Sequence, residues 1–112
     1  MKPELLLPAG NTECLRAAVN NGANAVYLGL KEFNARQKAG NFTPKELYNA
    51  VKYCHQRNVK VYVTLNTLVK NDELERYFNH IHTCQECEVD AIIIQDPCLV
   101  PIIKKNFKIL IH

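Results

Sequence analysis

The sequence predicts an α/β domain of alternating strand–helix units with parallel strands, forming the first half of a TIM-like barrel. Three observations predict it. Short apolar runs at residues 4–7, 25–28, 60–65, 91–94 and 108–111 suit buried strands. Four amphipathic stretches separate them, each long and periodic enough for a helix. The last apolar run ends at Ile111-His112 with no closing helix, whereas a barrel of eight such units needs about 250 residues. Residues 1–112 are therefore expected to be a single incomplete barrel domain, the amino-terminal segment of a longer catalytic domain. About five strands and four helices joined by right-handed crossovers would fill it.

The helix signals are written in order. Asn11 or Thr12 can cap the first helix. Thr43-Pro44-Lys45-Glu46 spells a capping box with proline at the first helical position, and Phe42 can staple onto Leu47. Leu47, Ala50, Val51 and Cys54 then follow the i, i+3, i+4, i+7 spacing of one helical face, and Leu74, Tyr77, Phe78 and Ile81 repeat it. Asn71 is expected to cap the third helix, and Asp96-Pro97 to open the fourth. Gly22-Ala23-Asn24-Ala25-Val26-Tyr27-Leu28 echoes Glu88-Val89-Asp90-Ala91-Ile92-Ile93-Ile94, each a helix exit feeding a strand.

Composition narrows the function classes. Hydrophobic residues make up 47% and charged residues 22% of the chain, which excludes a disordered tail or a fibre. No apolar run exceeds the four residues of 91–94, so no membrane association is expected. A net charge of +3, with no basic run beyond Lys104-Lys105, does not by itself indicate nucleic acid. Three leucines between Lys2 and Pro8 are too few for a secretory signal, so a cytoplasmic protein is expected. The five cysteines, Cys14, Cys54, Cys84, Cys87 and Cys98, cannot all pair within one chain and read as reduced, buried packing residues.

Ligands of parallel α/β folds gather at the carboxyl ends of the strands. That rim would carry Asn11, Arg36, Asn41, Asn66, Gln95 and His112, a set suited to a polar or anionic ligand. Arg36, Asn41, Asn66, Gln95 and His112 are the expected substrate-binding residues. Cap and turn formation explains asparagine at positions 11 and 41 equally well. The connection from Gly29 to Phe42 exceeds the usual two to six residues and is the first place to look for function. Along residues 60–66, Lys60, Tyr62, Thr64 and Asn66 alternate with Val61, Val63 and Leu65. The aliphatic set is expected to face the helices and the polar set the interior, either as a pocket or as ordinary barrel filling.

Metal binding is not expected. His80, Cys84 and Cys87 share one helical strip, but zinc sites usually recruit a second paired motif, and none is present. No nucleophile elbow or phosphate-binding glycine loop occurs.

Several segments resemble the collagenase-like peptidases, the family numbered thirty-two in the unknown-mechanism class. They are Leu5-Leu6-Leu7-Pro8-Ala9-Gly10-Asn11, Gly22 through Gly29, Lys31-Glu32-Phe33-Asn34-Ala35-Arg36 and Ala39-Gly40-Asn41-Phe42-Thr43. Val61 through Leu68 and Asp90 through Asp96 extend the likeness over nearly the whole chain. The resemblance implies a TIM-barrel-like catalytic domain acting on peptide or RNA. Members are classed as peptidases, and others act in hydroxylation of transfer RNA, ribosomal RNA or a quinone precursor. The Thr64-Leu65-Asn66-Thr67-Leu68 and Gln95-Asp96 spellings look closer to the ribosomal-RNA branch.

The resemblance also implies an iron–sulfur cluster in several full-length relatives, bound through cysteines downstream of this segment. No cofactor is therefore expected within residues 1–112, and the segment alone is expected to be inactive. The competing reading is a noncatalytic α/β binding module with an open five-stranded sheet that self-associates, for instance as a homodimer, through its exposed strand edge.

Overall fold

A computed structural model describes residues 4–30, 42–65 and 71–112. Four strands, β1 (Leu6–Pro8), β2 (Ala25–Gly29), β3 (Lys60–Leu65) and β4 (Ala91–Ile94), form one parallel sheet in the order β1-β2-β3-β4. Helices α1 (Thr12–Asn20), α2 (Pro44–His55), α3 (Leu74–Glu86) and α4 (Val100–Asn106) alternate with them.

Strand parity decides what packs where. Val26 and Leu28 of β2, Val61, Val63 and Leu65 of β3, and Ile92 of β4 are buried against Leu15, Leu47, Val51, Cys54, Tyr77, Ile81 and Ile103 of the four helices. All four helices thus cover one face of the sheet. Ala25, Tyr62 and Ala91 alternate to the opposite face, with Tyr27 and Ile93 half-buried beside them. A parallel sheet in sequential order with helices on one side only is the arrangement of part of a barrel.

Three helices leave through one repeated device. Gly22, Asn58 and Glu88 take left-handed φ values of 89°, 59° and 62°. The following amide then reaches back to the helix: Ala23 to Ala18 O, Val59 to Cys54 O and Val89 to Cys84 O, at 2.9–3.2 Å. This closes the last turn as a Schellman motif and drops a buried apolar residue under the next strand. The sequence echo between residues 22–28 and 88–94 is this device, and residues 58–61 form its third copy.

Five details differ from the sequence reading. The first strand begins at Leu6, two residues later than expected. The fifth expected strand is reduced to a single parallel bridge between Ile92 and Ile111, because the Lys108 amide donates to Gln85 Oε1 instead of entering a ladder. Helix α3 follows a 3-10 turn at Asn71–Glu73, so its N-cap is Glu73, which makes no side-chain capping bond. Asp96 does cap, accepting from the Cys98 amide, but it opens a 3-10 turn at Pro97–Leu99. The α-helix starts only at Val100, since Pro101 has no N–H to offer Pro97 O. Finally, Cys14 and Cys98 are exposed, whereas Cys54 and Cys84 are buried. Cys14 lies on the solvent side of its helix and Cys98 in an exposed turn, so neither packs in the core.

Candidate functional site

The carboxyl ends of the strands form one rim, and the residues there divide into caps and free groups. Asn11 is fixed: its Oδ1 accepts the Cys14 amide at 2.8 Å and starts α1. Gln95 is exposed immediately after β4. The capping box at the start of α2 is complete, with Thr43 Oγ1 accepting from the Glu46 amide and Glu46 Oε1 from the Thr43 amide. The ends of the long connection come together, because Leu30 and Phe42 form a parallel bridge and both are buried. Arg36, Asn41 and Asn66 lie outside the described residues, as does most of that connection.

The open face of the sheet is lined as the alternation predicted. Tyr62 and Thr64 stand on it, while Val61, Val63 and Leu65 face the helices. Thr64 Oγ1 donates to Leu28 O at 3.2 Å, so its hydroxyl ties two strands together. Tyr62 donates to Glu4 Oε1 at 3.3 Å, and the ring of His112 meets the Tyr62 ring edge-on at 4.9 Å. Burial, reinforced by the Glu4 carboxylate, pushes the Tyr62 phenol above its ordinary value near 10 and keeps it protonated as a donor.

These residues border a cavity of about 520 Å³ with Leu6, Lys60, Asp90, Ile93 and Leu110. Glu4, Lys60 and Asp90 belong to the amino ends of the strands. His112 therefore belongs with the floor of the open face, and the structure does not bring it together with Gln95 at the rim. Sequence reasoning passed over Glu4 and Lys60 in this group. The signal was available, since Lys60 shares strand parity with Tyr62.

Asp90 anchors the amino edge. Its Oδ2 accepts from the Val61 amide at 2.7 Å and contacts His55 Nε2 at 2.8 Å, joining the end of α2 to β3 and β4. Asn24 does the same one unit earlier, its Oδ1 accepting from the Leu5 amide at 2.8 Å.

The thiols do not gather. Among the described residues no three His, Cys, Asp or Glu side chains are placed to hold a metal ion. Burial raises the Cys54 thiol to about 11 and drives Cys84 higher still, which makes both inert as ligands. Cys87 Sγ lies 4.0 Å from Pro44 O, against the start of α2. An iron–sulfur cluster needs several thiolates at one place, and these side chains do not supply it. Among the described residues no helix is long and apolar enough to cross a membrane.

With the geometry in place, comparison with known proteins decides the family. The sequence profile of peptidase family U32 matches residues 10–112. The chain belongs to peptidase family U32. An uncharacterized protease of Methanocaldococcus jannaschii is 45% identical over 83% of this chain and 23% of its own length. The tRNA hydroxylation protein P1 of Bacillus subtilis is 37% identical over 88% of the chain and 24% of its own length. A 23S rRNA 5-hydroxycytidine synthase of Escherichia coli is 41% identical over 83% and 14% respectively.

The chain thus spans a quarter or less of these U32 relatives. The solved structure of the U32 peptidase Mk0906 superposes with a TM-score of 0.73 at 12% identity, covering 98% of this chain and 47% of that one. That likeness fixes the fold: these four strand–helix units are part of a larger U32 domain.

Proposed function

We propose that the chain works as the amino-terminal portion of a U32 enzyme that takes part in RNA hydroxylation. The observation that carries this reading is its identity of 37–41% to U32 proteins named for hydroxylation of tRNA and rRNA. Substrate contact is assigned to the carboxyl rim, through Arg36, Asn41, Asn66 and Gln95, with His112 reaching the interior from below. Polar and cationic side chains of this kind, set beside helix amino ends, suit phosphate and base edges. Cofactor binding is assigned to residues beyond this segment, because the thiols here are dispersed.

A peptidase reading has its own specific support, the 45% identity to the archaeal protease. Deleting the gene and quantifying hydroxylated nucleosides in purified tRNA and rRNA by mass spectrometry separates the two. Loss of a hydroxylated nucleoside, restored by the plasmid-borne gene, is the expected result. An unchanged nucleoside profile together with peptide hydrolysis by the purified complete protein would decide for the peptidase.

A further inference from the structure

The outer surface of α1 and α2 carries cations interleaved with tyrosines, away from the rim. On α2, Lys45, Tyr48, Asn49, Lys52 and Tyr53 share the arc opposite the buried Leu47, Val51 and Cys54. Lys52 Nζ sits 4.6 Å from the Tyr48 ring centre. Tyr53 is flanked by two guanidinium groups, Arg57 at 3.7 Å and Arg16 of α1 at 5.7 Å. Rings at these distances hold the cations in place against the helix surface.

None of Arg16, Lys45, Lys52 or Arg57 forms an ion pair with a carboxylate among the described residues. Of the two acids on these helices, Glu46 is engaged in the capping box, which leaves Glu13. The neighbouring stretch has the opposite sign: around α3, Asp72, Glu73, Glu75, Glu86 and Glu88 outnumber Arg76. Between α1 and α2 lies a groove of about 230 Å³ whose polar lining comes from Thr12, Arg16, Glu46, Asn49 and Tyr53.

We propose that this face of α1 and α2 is a docking surface for the sugar–phosphate backbone of RNA, separate from the rim that handles the reacting nucleoside. The inference rests on the RNA reading above. Charge complementarity argues for this occupant: ring-supported guanidinium and ammonium groups suit phosphate oxygens, and Asn49 and Thr12 in the groove suit ribose hydroxyls. A structured RNA extends well beyond one nucleotide, and a second contact on the outer surface fixes its register without reading its sequence.

The test is binding of bulk tRNA to the complete protein by fluorescence anisotropy across a salt series. The double variant Arg16→Glu, Lys52→Glu is compared with wild type. Both side chains are exposed, and circular dichroism checks the fold. If that pair unfolds the protein, Lys45→Gln, Lys52→Gln takes its place. The expected result is a loss of affinity of about ten-fold or more, with the slope of log affinity against log salt shallower by about 1.4 for two lost phosphate contacts. Hydroxylation of a short RNA that fills only the rim stays at the wild-type level.

Wild-type affinity and slope in the folded variant overturn the docking surface alone and leave the RNA reading intact. Absence of salt-dependent tRNA binding by the wild-type protein overturns both.

Discussion

Asp90 and His55 meet at 2.8 Å across the amino edge of the sheet, and the same carboxylate oxygen accepts the Val61 amide at 2.7 Å. One side chain thus fixes the register of β4 against β3 and ties α2 to both. Asp90→Ala leaves the half-buried Val61 amide without its acceptor and is expected to cost about 1–3 kcal/mol. His55 is more than a third exposed, so His55→Ala is expected to cost no more than about 1 kcal/mol. Urea denaturation of both variants checks the order; equal losses would show that the amide contributes nothing.

The helix exits make a prediction of opposite sign. Glu88 holds φ at 62°, a conformation that disfavours a side chain with Cβ, and Gly22 holds 89° at the matching position. Glu88→Gly is expected to raise stability by about 0.5–1 kcal/mol, and Gly22→Ala to lower it by about 1 kcal/mol. No atom lies near enough to Gly22 to clash with an added Cβ, so the Gly22→Ala cost isolates backbone strain. Thermal unfolding of the two variants should move the midpoint in opposite directions.

Thiol chemistry separates surface from core. Cys14 and Cys98 are exposed and should react with a thiol reagent in the folded protein, whereas Cys54 and Cys84 should react only on unfolding. Burial raises the Cys54 thiol from about 9 to about 11. The folded state therefore holds that proton more tightly than the unfolded chain. Its contribution to stability is complete below pH 9 and is lost as the pH rises towards and through 11. Denaturant midpoints measured from pH 8 to 11 should fall in the wild type, and fall less in Cys54→Ala.

Tyr77 is fully buried, and its hydroxyl donates to Leu65 O at 3.3 Å, at the carboxyl end of β3. Tyr77→Phe leaves the ring in place and strips that carbonyl of a partner, at an expected cost of about 1–2 kcal/mol. Calorimetry of the variant gives the number. Because Leu65 immediately precedes the Asn66 rim position, the same variant should weaken substrate binding in the complete protein.

The sheet was legible in the sequence because parity is a local property. Val61, Val63 and Leu65 against Tyr62 and Thr64 needed only alternation, and the Thr43–Glu46 box only its spelling. The fifth strand was not legible. Its apolar run satisfies the strand pattern, yet the Lys108 amide is taken by Gln85, twenty-three residues away in sequence. The thiols of Cys14 and Cys98 misled for a related reason, since cysteine is commonly buried and their exposure depends on which helix side or turn they occupy. The floor cluster of Glu4, Tyr62 and His112 joins three distant segments through side-chain reach, which residue spacing does not encode.

The central claim is that the carboxyl rim of these strands handles an RNA substrate. It is tested most directly by complementing the gene deletion with Asn66→Ala, Gln95→Ala in the complete protein. Hydroxylated nucleosides are counted by mass spectrometry, and wild-type protein levels are checked. The account predicts that the wild-type gene restores the modification and the rim variant restores at most a tenth of it. Full restoration by a stably expressed rim variant would contradict the account.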